Sequence, residues 1–389
     1  MSPKRFNLIL NNKISAFKRK IYVDPDKSIS IRSFIIGSIS NNISSVKNVL
    51  ESEDVLSAIR CLKQLGVKIV KKKTRNYLIY GKGLGSLFAK KNTKMNFGNS
   101  GTLARLLIGV LSSTPGIEIK IHGDHSLNKR NMKKLFTLMS KFGAFFLPKN
   151  KFKFPIKMIS SDLPIGIKYE AGVSAQLKSA VILAGLNSYG ETQIIEKEKS
   201  RDHTENMLLN NFQTIKIIKQ KKKLIKIYGK KYLNLIDTKV PGDPSSAAFF
   251  SALTLLNKNS SIIIKNVGLN PTRTGFYQIL KKLGAKINFT NLKKENNELR
   301  GDINVKSCKL KPIQASKEYY VSATDEYPIL FVIAALTKGI SVFKGIGDLA
   351  NKESNRILEM QKILSQIGIK STSGNNELKI YGKGLFDAK

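Results

Sequence analysis

The hexapeptide Ile-Tyr-Gly-Lys-Gly-Leu occurs at Ile79 to Leu84 and again at Ile380 to Leu385, with a partial copy at Ile227 to Lys230. A motif that returns at such distances marks a repeated supersecondary unit, and this limits the fold more than any composition does. In phase with it run helical stretches closed by glycine: Leu62 to Gly66, Leu138 to Gly143, Leu280 to Gly284 and Ile363 to Gly368. Each glycine suits the left-handed position that stops a helix, and alternating runs such as Val67 to Val70 and Ala285 to Asn288 follow as strands. A weaker copy, Leu209 to Thr214, has Thr where glycine would fall. The unit reads helix, glycine stop, strand, turn, strand, and five copies are legible. Apolar helices at Thr102 to Leu111, Ala175 to Leu186 and Ser245 to Leu256 supply a second helix per unit.

Six such units in two groups of three would build two similar α/β lobes around a cleft. The fifth hairpin runs to Leu385 and the sequence stops at Lys389. The expectation is therefore five of six units: a fragment of a longer protein, or else an inactive remnant, with one flank open, apolar surface exposed there, and low stability and turnover.

At 389 residues the chain exceeds the usual single core, which agrees with two lobes. Lys and Arg number 67 against 27 Asp and Glu, a formal net charge of +40, which invites a nucleic-acid or membrane-surface reading. The lysines are scattered among Asn and Ile along the whole length, including runs such as Lys219 to Lys223, and follow a composition bias more than one binding stripe. Cys61 and Cys308 lie far apart without CxxC spacing, and His122, His125 and His203 form no ligand pattern with them, so no zinc site, other metal or disulfide framework is expected. No long apolar segment with a cleavage site follows the N-terminus, and the longest apolar runs, Leu103 to Leu111 and Ile329 to Leu336, fall short of a membrane span. A soluble cytoplasmic protein follows.

Two polar clusters point to chemistry. Ser174 to Ser179 runs into the apolar segment Ala180 to Gly185, and Ser200 to Glu205 precedes a helical run at Asn206 to Leu209. Helix starts leave N–H groups free at the positive end of the dipole, so two of them facing one cleft would hold phosphate or carboxylate. Ordinary N-caps would leave the same pattern.

Taken in order with five further segments, these clusters resemble the 5-enolpyruvylshikimate-3-phosphate synthases. Asp26-Lys-Ser-Ile-Ser-Ile-Arg32 is similar to the family's DKSxSxR segment, Gly98-Asn-Ser-Gly-Thr-Leu-Ala-Arg105 to GNxGTxxR, and Gly123 to Arg130 to GDxSLxxR. The two polar clusters are similar to SAQxKS and SRDHTE, Val240 to Ser246 to VPGDPSS, Asp325 to Pro328 to DExP, and Lys352 to Arg356 to KESDR. The resemblance covers the chain from about Val23 onward. It implies two lobes of βαβαββ units, an inverse α/β prism, with residues 24–238 in the first lobe and 1–23 plus 239–389 in the second.

The same resemblance implies transfer of the enolpyruvyl group of phosphoenolpyruvate to the 5-hydroxyl of shikimate-3-phosphate, by addition and elimination of phosphate. It implies no cofactor, small-molecule substrates only, no nucleic acid or membrane partner, and a monomer. Lys27, Ser28, Arg32, Ser174, Ala175, Gln176, Arg201, Asp325 and Lys352 would bind shikimate-3-phosphate. Lys27, Asn99, Gly101, Arg130, Gln176 and Arg356 would face phosphoenolpyruvate. Asp325 would be the base for the 5-hydroxyl, Glu353 the acid for the methylene carbon, and Lys27 a third catalytic group. Glycine at 101 would let backbone approach the ligand, and sensitivity to glyphosate is expected.

Several positions depart from the family pattern. Asp24-Pro25 stands for Pro-Gly, Ile31 for His or Asn, Asn131 for Pro and Asn355 for the Asp of KESDR, and the family's DHRxAM segment has no counterpart in this sequence. Transfer to a UDP-amino sugar is the related alternative, but the loop Gly123 to Arg130 lacks the reactive cysteine that reaction normally uses. A basic nucleic-acid-binding protein is the rival from another class, and it would need aromatic platforms that the apolar patterns of Phe and Tyr do not offer.

Overall fold

The computed structural model describes residues 14–219, 222–352 and 354–385. Their strands form five four-stranded sheets, all wired alike. Each begins with a parallel pair: Asp237–Lys239 beside Ile43–Lys47, Lys94–Asn96 beside Glu118–His122, Lys168–Ala171 beside Glu191–Glu196, Lys18–Ile21 beside Ser261–Gly268, and Gln314–Ala315 beside Gly339–Lys344. The second strand of a hairpin then pairs antiparallel with the inner member, and the first hairpin strand takes the edge.

Parallel strands need a crossover, and in three units it is a central helix: Gly101–Ser112, Ala175–Leu186 or Tyr327–Ala335. The remaining two units exchange partners. Lys18–Ile21 leads through the helix Lys27–Ile39 to Ile43–Lys47, yet it pairs with Ser261–Gly268. Asp237–Lys239 leads through Pro244–Leu256 to Ser261–Gly268, yet it pairs with Ile43–Lys47. The chain therefore passes twice between two groups of sheets. The two passages run side by side, with Asp26 N donating to Pro241 O at 2.9 Å and Asp243 N to Asp24 O at 2.8 Å. One apolar core, from Ile29 to Val240, fills the first group, and a second, from Ala247 to Ile380, fills the other.

The repeated Ile-Tyr-Gly has a steric cause. A Cβ placed on Gly81, Gly229 or Gly382 would overlap the carbonyl oxygen of Ser40, Ser188 or Thr337 respectively. These are the residues that follow the central helices Lys27–Ile39, Ala175–Leu186 and Tyr327–Ala335, so each hairpin's last strand passes where only glycine fits. The helix-stop glycines Gly66, Gly143, Gly284 and Gly368 all have φ between 72° and 95°. Leu209 to Thr214 is a correction: the helix there ends at Leu208, and the segment is turn, with Thr214 N donating to Asn211 O at 2.8 Å. No long helix needs stopping, so Thr suffices.

The central helices of the first group are buried nearly all round, with serines and Arg32 of Lys27–Ile39 among the buried residues. Pro244–Leu256 is rich in apolar residues but exposes Phe249 at 59%, Phe250 at 43% and Leu253 at 39%.

Candidate active site

The helix Ala175–Leu186 opens with Ser174 as N-cap, its hydroxyl accepting from Leu177 N at 3.4 Å. The second polar cluster does not behave as expected. Its helix, His203–Leu208, is a six-residue turn and a half, and Asp202 makes no side-chain cap. The Asp202 carboxylate instead accepts from the side chains of Asn206 at 3.3 Å and Asn270 at 2.8 Å. Of the two clusters, Ser174 thus provides a side-chain cap and Asp202 does not.

The two clusters meet at Arg32. Its Nε donates to Thr204 Oγ1 at 2.9 Å, Nη2 to Ser179 Oγ at 3.4 Å and Nη1 to the carbonyl of Ser28 at 3.1 Å. Arg32 is 4% exposed, and burial draws its pKa down to about 10, which leaves it cationic at neutral pH. Beneath it lies a buried ion cluster that the sequence reading missed. Lys178 Nζ is 2.5 Å from Glu196 Oε1 and 2.7 Å from Glu205 Oε1, and Lys223 Nζ is 3.0 Å from Glu196 Oε2. Burial would raise the Glu196 carboxyl, but Lys178 and Lys223 outweigh it and hold it low.

A second group forms at the glycine-rich turn. Ser100 caps the helix Gly101–Ser112 by accepting from Leu103 N at 3.2 Å. Arg105 Nη1 donates to Gly101 O at 3.0 Å and to Gln176 Oε1 at 2.9 Å, while Gln176 Nε2 donates to Thr102 Oγ1 at 3.0 Å. Arg130 Nη2 donates to Asn99 Oδ1 at 2.6 Å. A Cβ on Gly101 would sit 2.6 Å from Arg130 Nη1 and 2.8 Å from Arg105 Nη1, so the crowding expected at this position falls on two guanidinium groups. A cavity of about 320 Å³ joins Arg130, Lys129, His125 and Ser126 to Lys352 of the second group of sheets.

The third group spans the two cores. Arg201 Nη2 donates to Asp325 Oδ2 at 2.7 Å, and Arg356 Nη1 donates to Asp325 Oδ1 at 3.3 Å and to Thr324 O at 3.2 Å. Burial raises the Asp325 carboxyl, but Arg201, Arg273 and Arg356 outweigh it and hold it well below the usual carboxylate range. Asp325 is therefore no helix cap; Glu326 occupies that position before Tyr327–Ala335. Asn355 caps Arg356–Gln366 by accepting from Leu358 N at 3.1 Å, so its replacement of Asp keeps the cap while losing the charge. Lys352 Nζ is 2.7 Å from Asp348 Oδ2 and lies over the Tyr320 ring at 5.8 Å. Lys27 opens its helix 47% exposed with Nζ 3.1 Å from Asp54 Oδ2. Glu353 lies outside the described residues.

The EPSP synthase model, 3-phosphoshikimate 1-carboxyvinyltransferase, matches residues 11–387. The chain belongs to the EPSP synthase family. The 3-phosphoshikimate 1-carboxyvinyltransferase of Thermodesulfovibrio yellowstonii is 40% identical over 372 residues, 95% of this chain and 86% of that protein. That of Paramagnetospirillum magneticum is 38% identical over 365 residues, 93% of this chain and 81% of its own length. The EPSP synthase of Acinetobacter baumannii superposes with a TM-score of 0.83 at 36% identity, covering 95% of this chain and 83% of that one. The enolpyruvyl transferase NikO of Streptomyces tendae, at 12% identity and a TM-score of 0.71, shares the fold.

In this EPSP synthase family member the junction between the cores holds a network the sequence reading passed over. Arg273 Nη1 donates to Asp26 Oδ2 at 2.9 Å, and Nη2 to Asp243 Oδ1 at 3.0 Å and Ser245 Oγ at 2.8 Å. Ser245 in turn donates to Glu326 Oε1. Burial pushes Glu326 up to about 7, with Arg273 opposing and the neighbouring Asp325 adding to the rise. His203 Nδ1 meets Glu298 Oε1 at 2.7 Å, a further tie between the groups. Asp26 and Asp243 stood inside recognised motifs, but Arg273 belonged to none of them, and only contact in space reveals it. Among the described residues no group of three or more His, Cys, Asp or Glu could hold a metal, and no helix is long and apolar enough to cross a membrane.

Proposed function

We propose that the cleft performs the family's enolpyruvyl transfer from phosphoenolpyruvate to the 5-hydroxyl of shikimate-3-phosphate with the division of labour that follows, the lobes being residues 24–238 and 1–23 plus 239–389. The supporting observation is the Asp325 carboxylate, held between Arg201 of the first core's chain and Arg356 of the second's. A carboxylate so placed is ionised, as a base must be, yet weakly basic while both cations face it. Substrate phosphate and carboxylate groups that draw Arg201 and Arg356 away raise its basicity only when both substrates are bound. Asp325 then takes the proton of the 5-hydroxyl as oxygen attacks C2 of the enolpyruvyl group.

The methylene carbon must gain a proton, and Glu353 is assigned as its acid, with Lys27 as the third catalytic group. Phosphate of shikimate-3-phosphate lies on the N–H groups at Ala175 and Gln176 and on the Ser174 hydroxyl, where the helix dipole favours an anion. Lys352 and Ser28 complete this side. Arg32, buried and donating from each of its three nitrogens, acts by fixing Ser28 and Thr204. Phosphoenolpyruvate lies against Arg130, Arg356, Gln176, Asn99 and the backbone at Gly101, with Arg105 holding Gln176. Loss of phosphate from the tetrahedral adduct, together with a proton of its methyl group that returns to Glu353, regenerates the vinyl group, with these cations stabilising the leaving dianion.

The chain works as a cytoplasmic monomer with no nucleic-acid or membrane partner. The test is turnover of phosphoenolpyruvate and shikimate-3-phosphate by the purified chain, with glyphosate as competitor. Phosphate release slowed by about 10²- to 10⁴-fold in Asp325→Asn and retained in Glu295→Gln, a remote carboxylate, is the expected result. Equal rates in the two variants would refute the assignment.

A further inference from the structure

Away from the cleft, a cavity of about 360 Å³ opens where the two passages between the cores leave their sheets. Tyr22 of the first passage and Lys239 of the second border it, and the sheet of Ser261–Gly268 forms its floor. Two register shifts create the space, one between Ile264 and Val267 and one between Thr290 and Lys293. At these shifts Asn266 and Asn291 take left-handed φ values of 53° and 51°, a conformation asparagine tolerates.

The floor is a built frame. Buried Asp302 accepts from Asn266 N at 2.9 Å, from Asn291 Nδ2 at 2.7 Å and from Lys265 Nζ. Arg300 Nη1 donates to Asn266 Oδ1 at 3.0 Å, and its Nη2 pairs with Glu295. The buried Nε of Arg300 has no hydrogen-bond partner among the described residues. Lys239 and Lys293 are exposed and have no ion-pair partner among the described residues. The lining therefore carries four cations, of which Lys265 is paired with Asp302 and Arg300 with Glu295, leaving the ammonium groups of Lys239 and Lys293 unpaired among the described residues. These lining residues converge on a concavity of ordinary small-ligand size.

We propose that this cavity binds a small anion carrying two phosphate groups. Lys239 and Lys293 stand on separate strands and offer one ammonium to each of two phosphates, the Nε–H of Arg300 is a further donor, and the exposed Tyr22 ring at the rim offers a flat face to a nucleoside. None of its lining residues belongs to the catalytic cleft. Because both passages border it, a bound anion would tie together the two strands that join the cores.

Isothermal titration calorimetry of the full chain at physiological salt tests this with pyrophosphate and ADP as probes. Binding of at least one probe is expected, weakened at least fivefold in Lys239→Ala/Lys293→Ala while shikimate-3-phosphate binding is unchanged. Tighter binding of ADP than of pyrophosphate, lost in Tyr22→Ala, identifies a nucleotide as the source of the diphosphate. Equal affinities identify free diphosphate, and either result upholds the site. No binding of either probe, or a loss below fivefold in the double variant, overturns it.

Discussion

Arg201 and Asp325 meet at 2.7 Å although their elements belong to different cores. The pair gives the Asp325 carboxyl its low pKa and ties the polar cluster at Ser200 to the one at Lys352 through Arg356. It also places a base beside two cations that substrate anions must engage.

Asp325→Asn is expected to lower kcat by about 10²- to 10⁴-fold, the usual worth of a positioned base. Binding of shikimate-3-phosphate, followed by fluorescence, should change little. An Asn variant with native kcat would remove Asp325 from the proton transfer.

Gly101→Ala should raise KM for phosphoenolpyruvate by about tenfold, since the new methyl must displace the Arg130 and Arg105 guanidinium ends. KM for shikimate-3-phosphate should stay within twofold, because Ser174 and the helix start at Ala175 do not touch the new methyl. Steady-state kinetics with each substrate varied in turn separates the two effects.

Lys178 has no exposed surface, and its removal leaves Glu196 and Glu205 buried beside each other with only the half-buried Lys223. Lys178→Met should cost about 3–5 kcal/mol of stability. Lys178→Met/Glu205→Gln should recover part of the loss, and chemical denaturation of the three proteins measures both. Equal midpoints for the native chain and Lys178→Met would show the cluster to be inert.

Glu326 has its carboxyl raised to about 7 in the folded chain, above its unfolded value. The folded state therefore holds this proton more tightly, and the associated stability is present in full below the unfolded pKa and lost as pH rises toward 7. Glu326→Gln, which keeps a partner for Ser245, should flatten the fall in melting temperature between pH 5 and 7 relative to the native chain. Parallel curves for the two proteins would contradict the assignment.

The sequence made the repeat legible because its cause is local. Helix-stop glycines need a left-handed φ, and the glycine of Ile-Tyr-Gly must pass a helix-end carbonyl in each unit where it occurs, so both survive as spelled residues. Leu209 to Thr214 misled because a turn after a short helix shares the polarity of a helix end but not its need for glycine. The Ser200 cluster misled for a related reason: Asp202 has the residue type of a cap, but Asn270 from the other core takes its carboxylate.

Sequence alone determined the unit, the order of the polar motifs and the side chains on offer, because helix caps, glycine stops and alternation are settled within a few neighbours. Tertiary structure decided which of those side chains act together. The exchange of Lys18–Ile21 and Asp237–Lys239 between sheets brings Asp26 to Arg273 and Asp325 to Arg201, pairs separated by more than a hundred residues. Charges so distant along the chain acquire shifted pKa values only when folding removes the water between them, and no local pattern records that step.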